Sequence, residues 1–237
     1  MIHNLLLEFF STALMILFGV GVHCDGVLNK TKYHGSGHLF AITTWAFGIT
    51  VCLYVFGGVC MNPAMVLCQT ILGLLPPGVA IPYMVADMLG AFAGALVVYV
   101  MYADQFKASE DNVDPVAIRN IFSTNPICRD LIRNWFVECL DTTIFLTGIL
   151  MIVKNYGQQV PIGVGLLVWA VGMGLGGVTG FAMNQARDLG PRMAYQLLPI
   201  KNKTDNNWQY GLLVPGTAPF VGAILSALFL RYFLGAF

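Results

Sequence analysis

Six apolar runs, at roughly residues 4–22, 38–56, 79–102, 134–153, 161–179 and 211–235, decide what this chain can become. A helix needs about 20 apolar residues to cross the hydrocarbon core of a bilayer, and each run approaches or exceeds that length. In water such surfaces would lack polar cover. Of 237 residues, 57% are hydrophobic and 10% charged, against about 45–50% and about 25% in an average soluble domain. That balance excludes a soluble enzyme and a disordered chain. Twelve basic residues against twelve acidic ones leave no basic surplus for a nucleic-acid binder. The chain is expected to be an all-α integral membrane protein with six spanning helices. The opening MIHNLLLEFF has no basic n-region and no small-residue cleavage site, so the first run is expected to remain as a span. The 26 glycines suit membrane helices, whose backbones approach closely where side chains are small. The six cysteines form no CxxC pair and sit mostly in apolar runs, as small buried hydrophobes. A Cys24–Cys128 disulfide is the alternative.

Two further apolar stretches, 62–73 and 184–197, are too short to span and are expected to be re-entrant. The polar stretch 103–133 divides the chain and is expected to be a solvated loop with one helical turn at most. The segments on either side repeat one another. Asn4, Glu8 and Thr12 recur as Asn134, Glu138 and Thr142 at identical spacing. Trp45-Ala-Phe-Gly48 is answered by Trp169-Ala-Val-Gly172, and Met61-Asn62-Pro63-Ala64 by Met183-Asn184-Gln185-Ala186. Gly90-Ala-Phe-Ala-Gly-Ala95-Leu96 is answered by Gly222-Ala-Ile-Leu-Ser-Ala227-Leu228. The chain is therefore one domain, 1–237, built from repeat one (about 1–102), a linker (103–133) and repeat two (about 134–237). Three spans per half is an odd number, so the second half enters from the opposite side. Such inverted repeats carry their substrate path at the repeat interface, formed by broken helices.

The short segments have the chemistry for that role. Asn is a favoured N-cap and Pro a favoured first helical residue, so Asn62-Pro63-Ala64 starts a half-helix and Asn184-Gln185-Ala186 starts its counterpart. Two helix N-termini meeting at the midplane each carry roughly half a positive charge. With the Asn amides aimed into the gap, they repel cations and bind the oxygen of a neutral solute. Glu8 and Glu138, costly within spans, are expected to accept hydrogen bonds from the re-entrant backbone, since irregular backbone at membrane depth needs buried partners. Arg187, about one turn beyond Asn184, is expected to line a constriction. The competing arrangement is an ion pair with Asp188.

The paired Asn boxes, the two glutamates and the segment Gly180–Arg192 resemble the aquaporin superfamily over essentially the whole chain. Asp188 after Arg187 resembles its glycerol-facilitator branch. The resemblance implies a selectivity filter of Trp45, Gly172, Phe181 and Arg187: an apolar corner, a space and a cation. A strict water channel of the family usually has His in place of Gly172. It also implies pore-lining carbonyls, on Gly58, Val59, Cys60 and Met61 and on Gly180, Ala182 and Met183. The solute would be a small neutral molecule with distinct carbon and oxygen edges, passing without cofactor or metal. Val59-Cys60-Met61 replaces the usual Gly-Ala-His, and the stretch from Trp45 to Asn62 is short, so the first loop is expected to be rebuilt. Gln185 replaces the second Pro. These features, with Val20–Cys24, Gly35–His38 and Trp208–Gly211, are similar to the lactic-acid channels of lactobacilli.

The resulting expectation is a passive channel for glycerol and protonated lactic acid with some water permeation, the alternatives being a proton-coupled lactate transporter or a strict water channel. A membrane enzyme would need a nucleophile, metal cluster or acid–base pair at membrane depth. A coupled transporter would need titratable groups along the path, for which Glu8, Asp87, Glu138 and Asp141 are the acids available. His3, His23, His34 and His38 are all expected near ends or in outer loops. Loops on the side of the termini carry Lys154 and Arg231, whereas the other side carries Lys30, Lys32, Lys107, Arg119, Arg129, Arg133, Lys201 and Lys203. The positive-inside rule would then put the termini outside. The resemblance implies cytoplasmic termini, a plasma-membrane location and a homotetramer in the lipid bilayer, and we adopt that orientation.

Overall fold

The computed structural model describes residues 1–157 and 161–237, and among them every regular element is helical. Repeat one contains α1 (Ile2–Val27), α2 (Gly37–Phe56), the short α3 (Pro63–Leu72) and α4 (Pro77–Met101). Two small helices follow, α5 (Ala103–Ala108) and α6 (Pro115–Phe122). Repeat two contains α7 (Leu131–Tyr156), α8 (Pro161–Gly174), the short α9 (Gln185–Leu197), α10 (Trp208–Leu213) and α11 (Ala218–Leu228), closed by a π-helical turn, Phe229–Phe233. Ile2–Val27, Gly37–Phe56, Pro77–Met101, Leu131–Tyr156 and Trp208–Phe233 are long and apolar enough to cross a membrane. The fifth apolar run forms a shorter helix than its 161–179 extent suggests. Its 14 described residues rise about 21 Å, and a stretch rich in glycine (Gly174, Gly176, Gly177, Gly180) ends it. The last span is broken at Val214–Thr217, where Pro215 has no N–H to donate to a helix.

The pairing of helices repeats between the halves. α1 packs on α2 and α4, as α7 packs on α8 and α11. Each half-helix crosses to the other repeat, α3 lying on α11 and α9 on α4, and α2 lies on α8. Small residues permit the close approach. A Cβ on Gly90 would lie 2.3 Å from the Phe9 carbonyl oxygen, and one on its repeat counterpart Gly222 would lie 2.6 Å from that of Cys139. Neither position admits a side chain, so these two glycines fix the spacing of α1–α4 and of α7–α11.

The segment 103–133 corrects the sequence expectation. It is not a solvated loop but a folded cover: Ile118, Ile121, Phe122 and Phe106 are buried, and α6 packs on α1 and α9. Ile118, Ile121 and Phe122 stand at i, i+3 and i+4, the spacing of a buried helix face, which the surrounding charges obscured. Arg119, itself buried, donates to Asp205 Oδ1 at 3.1 Å and to the Asp205 carbonyl at 3.2 Å. All six cysteines are free, with Cys24 buried and Cys128 exposed, so the Cys24–Cys128 alternative falls away.

Candidate functional site

The two half-helices begin with the same local geometry. Asn62 caps α3 with φ −160° and ψ 113°, its Oδ1 accepting from the Ala64 N–H at 2.9 Å, and Pro63 takes the first turn. Asn184 caps α9 with φ −160° and ψ 115°, accepting from the N–H groups of Ala186 at 2.9 Å and Arg187 at 3.2 Å. Gln185 in place of Pro therefore leaves the cap geometry intact. Its side chain is buried, and neither amide atom has a partner among the described residues, an arrangement that costs stability.

Each Asn also reaches across to the other repeat. Asn62 Nδ2 donates to the Met183 carbonyl at 3.0 Å, and Asn184 Nδ2 donates to the Met61 carbonyl at 2.7 Å. The two boxes are thus cross-tied. One hydrogen of each amide is spent on the tie, and the second remains for the cavity that both side chains line. The carbonyls of Met61 and Met183 already accept these bonds, which modifies the idea of a free carbonyl ladder.

The re-entrant backbone is held by the two glutamates. The Glu8 carboxylate accepts from the N–H groups of Cys60, at 2.9 and 3.0 Å, and Met61, at 2.9 Å. The Glu138 carboxylate accepts from Ala182 at 2.9 Å and Met183 at 2.8 Å. Both acids are buried. The bonds matter because the backbone they hold is strained: Met61, Phe181 and Met183 have φ of 51°, 42° and 49°, a region few non-glycine residues occupy. The rebuilt first loop meets its glutamate just as the second does.

A cavity of about 490 Å³ runs between the repeats. Trp45, Phe181 and Arg187 lie in its wall, followed by Asn62 and Asn184, and the lining extends to Gly57, Leu74, Lys154, Gly157 and Phe237. Gly58, Val59, Cys60, Met61, Ala182 and Met183 belong to the lining, whereas Gly180 lies outside it. Among the described lining residues the charged side chains are those of Arg187 and Lys154, both cationic. Glu8, Asp87, Glu138 and Asp141 lie outside the described lining. The Lys154 ammonium donates to the Ala236 carbonyl and sits 4.9 Å from the centroid of the Phe237 ring.

Of the four residues assigned to a filter by resemblance, Trp45, Phe181 and Arg187 line the cavity, whereas Gly172 lies outside its lining, against Phe181. The Arg187 guanidinium carbon lies 4.4 Å from the centroid of the Trp45 ring, within cation–π range. A Cβ on Gly172 would lie 2.8 Å from Ile42 Cγ2 and 3.2 Å from Phe181 Cζ, so Gly172 backs the Phe181 ring directly. The Arg187–Asp188 ion pair is not formed. Asp188 instead accepts from Arg192, Nε to Oδ1 at 2.8 Å and Nη2 to Oδ2 at 3.1 Å. Adjacent residues on a helix point about 100° apart, whereas i and i+4 share a face.

His23 lies near the C-terminal end of α1, as expected, but has a buried partner: its Nε2 accepts the Trp45 indole N–H at 3.2 Å. His34 and His38 are exposed, with His34 Nδ1 3.0 Å from the Leu28 carbonyl. The signal that would have found His23 is its placement four residues after Gly19, which faces the same indole.

Comparison with known proteins agrees with this geometry. The family model described as "Major intrinsic protein" matches residues 1–230. The chain is similar to "Glycerol uptake facilitator protein 4" of Lactiplantibacillus plantarum (strain ATCC BAA-793 / NCIMB 8826 / WCFS1), with 65% identity over 237 residues and 99% of each chain covered. It is also similar to "D/L-lactic acid transporter" of the same strain, with 61% identity and the same coverage. Among solved structures, it resembles the X-ray structure of the aquaglyceroporin from Plasmodium falciparum, with a TM-score of 0.84, covering 98% of this chain and 96% of that one. At 24% identity that likeness concerns the fold.

Proposed function

The chain belongs to the major intrinsic protein family, and from that premise we propose that it is a passive membrane channel for small uncharged solutes. Glycerol and protonated lactic acid are its solutes, with some water permeation. The observation that carries this reading is the cavity itself: it joins the Trp45–Phe181–Arg187 corner to both asparagines, and its described lining contains no acidic side chain. A proton-coupled transporter needs titratable acids on the path, and here Glu8 and Glu138 brace the re-entrant backbone while Asp87 and Asp141 lie outside the described lining. The printed names of the two relatives above, a glycerol facilitator and a lactic-acid transporter, support the same solute class.

The corner formed by Trp45, Phe181, Gly172 and Arg187 acts as the selectivity filter. The aromatic faces receive the carbon edge of the solute, and Arg187 offers N–H donors to its oxygens. Glycerol and lactic acid share this amphipathic outline. Lactate anion does not fit as well, because a narrow apolar pore gives a buried charge little compensation. Cations are repelled by Arg187 and by the two half-helix N-termini. The absence of His at position 172 argues against a strict water channel, since that position is where a bulky side chain would narrow the passage. The two asparagine boxes, Asn62-Pro63-Ala64 and Asn184-Gln185-Ala186, form the midpoint of the path, and Glu8 and Glu138 hold the loops that carry them.

The chain acts as a single channel domain of two inverted repeats, 1–102 and 134–237, joined by the folded segment 103–133. It functions as a homotetramer in the plasma membrane with cytoplasmic termini. The charge bias against that orientation is reduced by Arg119, which is not a free loop cation: it is buried in the folded segment and meets Asp205 at 3.1 Å.

The neutral-acid reading has a pH signature. A simple carboxyl titrates near pH ~4, so the neutral fraction is near its maximum below that pH and falls about tenfold with each unit above it. Lactic-acid flux through proteoliposomes, corrected for protein-free vesicles, should fall in the same proportion between pH 5 and pH 7 while glycerol flux stays constant. Lactate flux that held steady over this range would overturn passage of the neutral acid.

A further inference from the structure

α1 presents two residues to a single indole. Gly19 meets its six-membered edge: a Cβ there would lie 2.1 Å from both Cη2 and Cζ2 of Trp45, so the ring rests on the helix backbone. Four residues on, at the position that shares a helix face with Gly19, His23 Nε2 accepts the indole N–H at 3.2 Å. Arg187 covers the ring at 4.4 Å. Trp45 is thus held by a steric niche and a hydrogen bond along one edge, Cη2–Cζ2–Cε2–Nε1, and by a cation over its face. Its side chain is 3% exposed, so its N–H depends on a protein acceptor. An indole nitrogen only donates, and acceptance at Nε2 requires the neutral imidazole with its proton on Nδ1.

A buried donor that loses its acceptor is destabilised until it finds another. Trp45 lines the cavity, so oxygens in the lumen, carried by the solute or by water, are the alternatives open to it. Turning the indole towards them would lift the ring off Gly19, disturb its contact with Arg187 and put a polar group on the apolar side of the constriction. His23 does not line the cavity, so it acts through Trp45 and not by touching solute.

We infer that His23 is a specificity-determining positioning residue: by accepting the Trp45 N–H it locks the indole against Gly19 and keeps the aromatic side of the filter apolar. This rests on the filter assignment made above. It adds a group outside the lining that sets how well the filter tells one neutral solute from another.

The test compares glycerol with erythritol, a longer polyol, by stopped-flow swelling of proteoliposomes. His23→Leu, which removes the acceptor, is expected to lower the glycerol-to-erythritol flux ratio by at least about threefold. His23→Gln, whose amide oxygen accepts at a similar reach, is expected to retain the wild-type ratio. Trp45→Phe removes the donor, and adding His23→Leu to it is expected to change nothing further, because two residues acting through one bond are not additive. An unchanged ratio in His23→Leu, a Gln variant that behaves like the Leu variant, or additive effects in the double variant would each overturn the inference while leaving the channel function intact. Wild-type glycerol flux no greater than that of protein-free vesicles would instead overturn the function on which it rests.

Discussion

Gly172→His is expected to reduce glycerol and lactic-acid flux at least tenfold while leaving water flux within about threefold, each tenfold corresponding to about 1.4 kcal/mol of added barrier. The Cβ alone would already lie 2.8 Å from Ile42 Cγ2 and 3.2 Å from Phe181 Cζ. An imidazole there must displace Phe181, whose ring lines the cavity, and so narrow the passage. A water molecule passes a narrowed polar constriction, whereas a three-carbon solute does not. Stopped-flow light scattering on proteoliposomes containing matched amounts of protein measures all three permeabilities. Glycerol flux equal to wild type would show that the corner of Trp45, Gly172, Phe181 and Arg187 is not the narrowest point of the path.

Asp188→Ala is expected to cost about 3–5 kcal/mol, the usual consequence of removing one partner from a buried ion pair. Arg192 and Asp188 are both fully buried. The guanidinium donates to both Asp188 oxygens, to the Thr124 carbonyl at 3.0 Å, and to the Asn206 and Asn207 carbonyls at 2.6 and 3.3 Å. Asp188 Oδ2 also accepts the Thr124 backbone N–H at 2.8 Å and its hydroxyl at 2.6 Å. One ion pair thus ties α9 to two connecting segments, and its loss strands a buried cation. At about 2–4 °C per kcal/mol for a chain of this size, the thermal midpoint in detergent should fall by roughly 10 °C. The double variant Asp188→Ala, Arg192→Met removes the stranded charge and should recover part of that loss. A midpoint within a degree of wild type for the single variant would contradict the argument.

The parts of this architecture legible in the sequence are those written in local chemistry or in recurrence. Asn62 and Asn184 announce helix starts through cap preference, and Glu8 and Glu138 stand out as carboxylates at matching positions in apolar runs. The packing glycines Gly90 and Gly222 occur in the repeated small-residue segments. What could not be read depends on contacts made across the fold. The charges between 103 and 133 hid the apolar face of α6, because nothing local says that Ile118, Ile121 and Phe122 will meet α1 and α9. The Trp45 bond to His23 joins two different helices. The partner of Asp188 became clear only when α9 set Arg192 on the same face. The cross-tie of each Asn amide to the opposite loop likewise needs both repeats in place.

The central claim is a passive pore for neutral solutes, and glycerol entry into proteoliposomes with and without imposed proton and sodium gradients tests it most directly. The predicted result is protein-dependent glycerol flux at the same rate under all conditions, ending at equal concentrations inside and outside. A rate that follows either gradient, or accumulation of glycerol beyond the external concentration, would contradict it and point to coupled transport.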